Sequence, residues 1–80
     1  MKTRLLKRLR KKSKNRTWLK YSNGYYSAYM KLSSGSVTSS FGMVKLERAI
    51  RELNTYRRNL ILGWIEDMEE ERINKEIRNL

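Results

Sequence analysis

The chain has no cysteine and no histidine. Disulfide bridges are therefore excluded, the common zinc sites cannot be assembled, and the usual nucleophile–base pairs lack two of their best members. Neither an enzyme nor a cofactor is expected. Long apolar runs are missing too. The longest, Leu60 to Ile65, is interrupted by Gly63 and falls far short of the roughly 20 residues that a membrane span needs. The N-terminus begins Met-Lys with no apolar core behind it, so it does not read as a secretion signal. The expectation is a soluble cytoplasmic protein, or a virion component if its role is structural, with no membrane partner.

Acidic residues are also absent from the first half of the chain. No Asp or Glu precedes Glu47, whereas ten of the first twenty residues are Lys or Arg. Residues 1–65 hold 16 basic and 2 acidic residues, and residues 66–80 hold 3 basic and 6 acidic, which sums to the net charge of +11. So many uncompensated cations oppose compaction, and a folded protein usually carries them to meet a polyanion. Nucleic acid is the commonest polyanion of that charge density, because each phosphate contact releases condensed counterions.

Residues 1–16 form the basic arm. Its candidate phosphate ligands are Arg4, Lys7, Arg8, Arg10, Lys11, Lys12, Lys14 and Arg16, with Lys2 beside them. Leu5, Leu6 and Leu9 are spaced for one stripe of a short helix from about Thr3 to Lys12. Alone, such a helix is too short and too self-repelling to persist in water. A flexible arm that orders on a partner is the expectation.

Residues 17–41 are rich in β-favouring side chains, including Trp18, Tyr21, Tyr25, Tyr26, Tyr29, Val37, Thr38 and Phe41. Asn23-Gly24 is a strong hairpin signal, and Ser34-Gly35 marks a second turn. Three strands follow, near Thr17–Ser22, Gly24–Leu32 and Ser36–Phe41, as an antiparallel meander. A period of two places Tyr26, Ala28, Met30 and Leu32 on one face of the central strand, and Tyr25, Ser27, Tyr29 and Lys31 on the other. Leu19 and Tyr21 are expected inward. In the third strand Val37, Ser39 and Phe41 are expected inward, with Thr38 and Ser40 outward.

From residue 43 to the C-terminus the pattern is helical. Leu46, Ile50, Leu53, Arg57, Leu60, Ile61, Trp64 and Met68 step by three or four, which makes one stripe for the sheet to receive. Gly63 costs about 1 kcal/mol in a helix interior, so a kink or break near it is expected. The architecture is thus α+β, a three-stranded meander packed on a C-terminal helix. The divisions are a basic arm at 1–16, a three-strand-plus-helix domain at 17–62 and an acidic helical extension at 63–80.

One sheet face would be covered by the helix and the other left free. The free face would carry Trp18, Lys20, Tyr25, Ser27, Tyr29, Lys31 and Thr38. These residue types suit base edges and phosphates in a DNA major groove, or the stacking of unpaired bases. The segment Tyr25-Tyr26-Ser27-Ala28-Tyr29-Met30-Lys31, a turn, then Phe41-Gly42-Met43-Val44-Lys45-Leu46-Glu47-Arg48-Ala49-Ile50 resembles a known domain. It is similar to the three-strands-plus-helix domain of plant APETALA/ethylene-response factors and of the arm-type DNA-binding domains of phage integrases. The resemblance spans roughly residues 17–56. It implies that Tyr26, Ala28 and Met30 point inward and that Phe41, Gly42 and Val44 form the third-strand exit. It also implies that Glu47, Ala49 and Ile50 open the helix, and that Lys20, Tyr25, Ser27, Tyr29 and Lys31 touch the major groove. Two departures stand out. No capping side chain precedes the helix, and Tyr and Ser replace the family's groove-facing arginines.

The expectation is a non-enzymatic nucleic-acid-binding protein. Double-stranded DNA is favoured, with RNA also open, as for an accessory protein of a phage or mobile element. The alternative is a structural subunit of a nucleoprotein particle. Glu66, Asp67, Glu69, Glu70 and Glu71 point around much of a helix rather than converging on one centre, so they read as a solvated or partner-facing surface and not as a metal site. Ile73, Ile77 and Leu80 on that helix leave room for a protein partner or self-association.

Overall fold

A computed structural model describes residues 3–79. The elements run α1 (Thr3–Asn15), β1 (Thr17–Ser22), β2 (Tyr25–Lys31), β3 (Val37–Ser39) and α2 (Leu46–Arg78). The three strands form one antiparallel sheet in the order β1-β2-β3. The α+β architecture, a three-stranded meander with a long C-terminal helix packed on it, is therefore as expected. Lys2 and Leu80, assigned above to the arm and to the C-terminal stripe, lie outside the described residues.

The β1–β2 hairpin follows from its turn. Asn23 (φ 53°) and Gly24 (φ 83°) both occupy the left-handed region, which is what a two-residue type I′ turn demands. That turn sets the register Tyr21↔Tyr26, Leu19↔Ala28 and Thr17↔Met30. Opposite residues share a face, so these six form the inner face. Helix α2 crosses β1 and β2 on that side and makes no contact with β3. Ala28 and Ala49 are completely covered and Leu53 nearly so. Small side chains on both elements let the helix approach the sheet closely.

The third strand departs from expectation. Thr38 pairs with Met30 and Ser39 with Tyr29, so Thr38 lies on the inner face and Val37 and Ser39 on the outer one. The turn decides this. Leu32 N–H donates to Ser36 O at 2.8 Å and Gly35 N–H to Leu32 O at 2.9 Å, closing a three-residue loop with Gly35 at φ 92°. Nothing opposes that register, because an uncovered strand has no buried face to choose a side. Further along, Ser40 N–H donates to Ala28 O and Tyr26 bridges Met43, so Phe41 and Gly42 of the exit both oppose Ser27 of β2. The extra residue makes a bulge. Phe41, expected inward, is instead 92% exposed.

Two expectations about the helices are also corrected. The C-terminal helix runs unbroken through Gly63 for 33 residues. A Cβ at Gly63 would meet no atom within 4 Å, so the site is an open helix position rather than a break. The basic arm is not a loose tail. It is a 13-residue helix whose Leu9 is 3% exposed and packs with Leu60 and Trp64, bordered by Leu5, Met30, Leu32, Ile61 and Ile65. Tertiary burial supplies what an isolated short helix lacks.

Candidate nucleic-acid interface

The same packing that buries Leu9 dictates where the cations of α1 point. Leu5, Leu9 and Ser13 recur at i, i+4 and i+8 and make the inward stripe, with Leu9 and Ser13 buried. Arg4, Lys7, Arg8 and Lys11 lie on the other side of the cylinder, and all four are exposed. Arg10 and Lys14, also exposed, flank them. Two arm cations are occupied elsewhere. The Lys12 ammonium sits 4.4 Å from the centre of the Trp64 ring, a cation–π contact. The Arg16 guanidinium donates to Leu32 O at 3.4 Å.

The joint between α1 and β1 is firmly tied. Buried Thr17 donates its hydroxyl to Ser13 O at 2.9 Å and accepts from Arg57 Nε at 2.9 Å. Ser13 Oγ donates to Arg10 O at 2.7 Å. The Arg57 bond is a direct strut from α2 to the first residue of β1, next to the end of the arm. Leu5 borders Ile65 and Met68, while Thr17 meets Arg57, so α1 runs antiparallel to α2.

The outer sheet face carries the other expected residues. Trp18 and Tyr29 are opposite each other, and their rings stack with centroids 5.5 Å apart and planes 3° apart. Lys20 is opposite Ser27, and Tyr25 is opposite Ser22. Lys31 is exposed at the end of β2. Trp18, Lys20, Tyr25, Ser27, Tyr29 and Lys31 therefore share the face expected of them, and Thr38 does not join it. Because Trp18 and Tyr29 stack on one another, one ring surface of each is already used. Tyr25, half exposed, is the ring left without such a partner on that face.

Helix α1 packs beside Met30 and Leu32, on the α2 side of the sheet. The cationic stripe and the outer sheet face thus belong to opposite sides of the sheet layer and do not merge into one flat patch. Charge is unequal between them. The stripe and its flanks carry six exposed cations, and the outer sheet face carries Lys20 and Lys31.

One basic surface was not visible in the sequence pattern. Between α1 and α2 lies a groove of about 410 Å³, lined by the apolar Leu6, Ile61, Leu62 and Ile65 and by the cations Arg10, Lys14, Arg57 and Arg58. Its α2 side steps from Asn54 to Ile65 at helical spacing, but the two helices are separated in sequence by the whole sheet. Tyr56, on α2, has its hydroxyl pKa raised above the usual tyrosine value, first by burial and then by the nearby Glu52 carboxylate. Among the described residues, no group of carboxylates is arranged to hold a metal ion, and no helix is long and apolar enough to cross a membrane. No family model, curated protein or solved structure matches the chain.

Proposed function

We propose that the protein binds nucleic acid without catalysis, with double-stranded DNA as the favoured ligand, as an accessory protein of a phage or mobile element would. The observation that carries this reading is the row Arg4, Lys7, Arg8 and Lys11, turned to solvent by a helix whose opposite side is pinned in the core. A row spanning seven helical steps covers about 10 Å, enough for more than one phosphate. Held in a helix, these cations lose less freedom on binding than they would in a tail. Phosphate contacts position a protein and base contacts specify a sequence. On this reading α1 supplies most of the affinity. Selectivity comes from Lys20, Tyr25, Ser27 and Lys31 on the outer face, and it is modest because that face is turned away from the stripe.

A structural role in a nucleoprotein particle is the second reading. The concentration of charge on α1, away from any base-reading face, favours it. The two separate in a competition assay with one preferred and many random duplexes at two salt concentrations. A groove reader prefers its site by at least about 4 kcal/mol, and a particle subunit binds all duplexes alike. Under either reading, replacing Arg4, Lys7, Arg8 and Lys11 together by Ala lowers the slope of log K against log salt by about 3 to 4. An unchanged slope removes α1 from the interface. Lys20→Ala with Lys31→Ala weakens duplex binding only if the sheet face docks.

A further inference from the structure

The groove between α1 and α2 is lined by apolar and basic side chains. Elsewhere in the same chain is a segment of the opposite character. Beyond Ile65, α2 continues to Arg78 with every residue from Glu66 exposed, and it extends past the stretch that α1 covers. Its 14 residues from Glu66 to Asn79 span about 21 Å. They carry six carboxylates, those of Glu66, Asp67, Glu69, Glu70, Glu71 and Glu76, against the three cations Arg72, Lys75 and Arg78, a net charge of −3. At 100° per residue, Ile73 and Ile77 fall on one side with Glu66 and Glu70, and Glu76 lies at its edge. Ile73 is 50% exposed and Ile77 60%.

An exposed apolar stripe edged with acid and an apolar groove that also carries base are complementary in both respects. The segment and the α2 wall of the groove belong to one continuous helix, so the segment cannot fold back into its own groove. We infer that a second copy of this chain fills the groove, with two α2 helices antiparallel and the acidic end of each lying between α1 and α2 of the other. Ile73 and Ile77 cover Leu62 and Ile61 of the opposite copy, and the glutamates face Arg10, Lys14 and Arg58. The arrangement is isologous: each copy gives and receives the same contact. It leaves Arg4, Lys7, Arg8 and Lys11 uncovered in both copies, so it stands apart from the nucleic-acid reading.

Sedimentation velocity of the full chain, freed of nucleic acid by nuclease and high-salt washing, tests this directly. The protein is expected to be a dimer at low salt and to dissociate as salt rises. Glu70→Lys with Glu76→Lys reverses two of the charges that enter the groove, and Arg10→Glu with Arg58→Glu reverses two of the charges that receive them. Each double variant places like charges together in its own homodimer and should weaken association by at least about a hundredfold. Mixed together, the two variants have matched charges at both contacts and should form a heterodimer. A second measurement uses the absence of native cysteine. With Leu62→Cys and Ile73→Cys in one chain, oxidation should give covalent dimers. Eleven residues along one helix is about 16 Å, too far for a bond within the chain. A monomer at all concentrations, a dimer indifferent to both charge reversals, or a mixture that stays monomeric would overturn the proposal. Capture of a different acidic helix by a monomer would overturn it too, assigning the groove to another protein.

Discussion

Two glycines make opposite demands on their surroundings. At Gly42, in the bulge that follows β3, an added Cβ would lie 3.0 Å from the Cβ of Tyr25 and 3.2 Å from its Cγ. Gly42→Ala requires the bulge or Tyr25 to give by a few tenths of an ångström, and we expect a loss of about 1–3 kcal/mol in chemical denaturation. At Gly63 the added methyl meets nothing within 4 Å and the backbone is already helical. Gly63→Ala should therefore raise stability by about 0.5–1 kcal/mol. A loss there would mean that the helix is not continuous through this point. Tyr56 gives a pH prediction. Its pKa is raised in the folded state by burial, then by Glu52, so folding favours the protonated phenol. Its contribution is complete below the ordinary tyrosine pKa and is lost as pH rises through the higher folded value. Alkaline melting curves of Tyr56→Phe should show a smaller loss of stability over that range than those of the unaltered protein.

Among the elements, α1 shows how burial overrides local tendency. Its cations repel one another and its length is below what an isolated helix sustains, yet Leu9 inserts beside Leu60 and Trp64. Lys12 covers the Trp64 ring, and the Arg57–Thr17 bond holds the far end. Leu9→Ala should cost about 2–5 kcal/mol. Amide hydrogen exchange should show α1 losing protection before the β1–β2 hairpin does. Equal loss across the whole chain would show that α1 is not a separable unit. The helix spacing of Leu5 and Leu9 was legible in the sequence, but the groove that receives them was not. That groove is assembled from β2 and the middle of α2, some fifty residues further along.

At the scale of the whole molecule the shape is elongated, 58 × 26 × 15 Å, because α2 is longer than the sheet it covers. The sheet and α1 occupy one end of that helix. At the other end Ile73 and Ile77 are half exposed or more among the described residues. Charge follows the same division, with cations gathered on α1 and carboxylates on the projecting end. A chain of this size buries only about 60% of its unfolded surface. Covering an exposed helical end is therefore an ordinary way for it to gain stability, and the charge-swap mixture described above tests that at the molecular scale.

The sequence by itself determined the local elements. The Asn23-Gly24 turn, the alternation in β1 and β2 and the helical period from Leu46 onward all depend on neighbours within a few residues. The inner and outer faces of those two strands followed at once. The tertiary structure decided whatever rests on the absence or presence of a distant surface. It turned Thr38 and Phe41 away from their expected sides, because no helix covers β3 and the Gly35 loop was left to set the register. It made a docked helix of the basic arm, because Leu60 and Trp64 were there to bury Leu9. And it set the cationic stripe and the tyrosine-bearing sheet face on opposite sides of one layer, a relation that periodicity along a chain cannot encode.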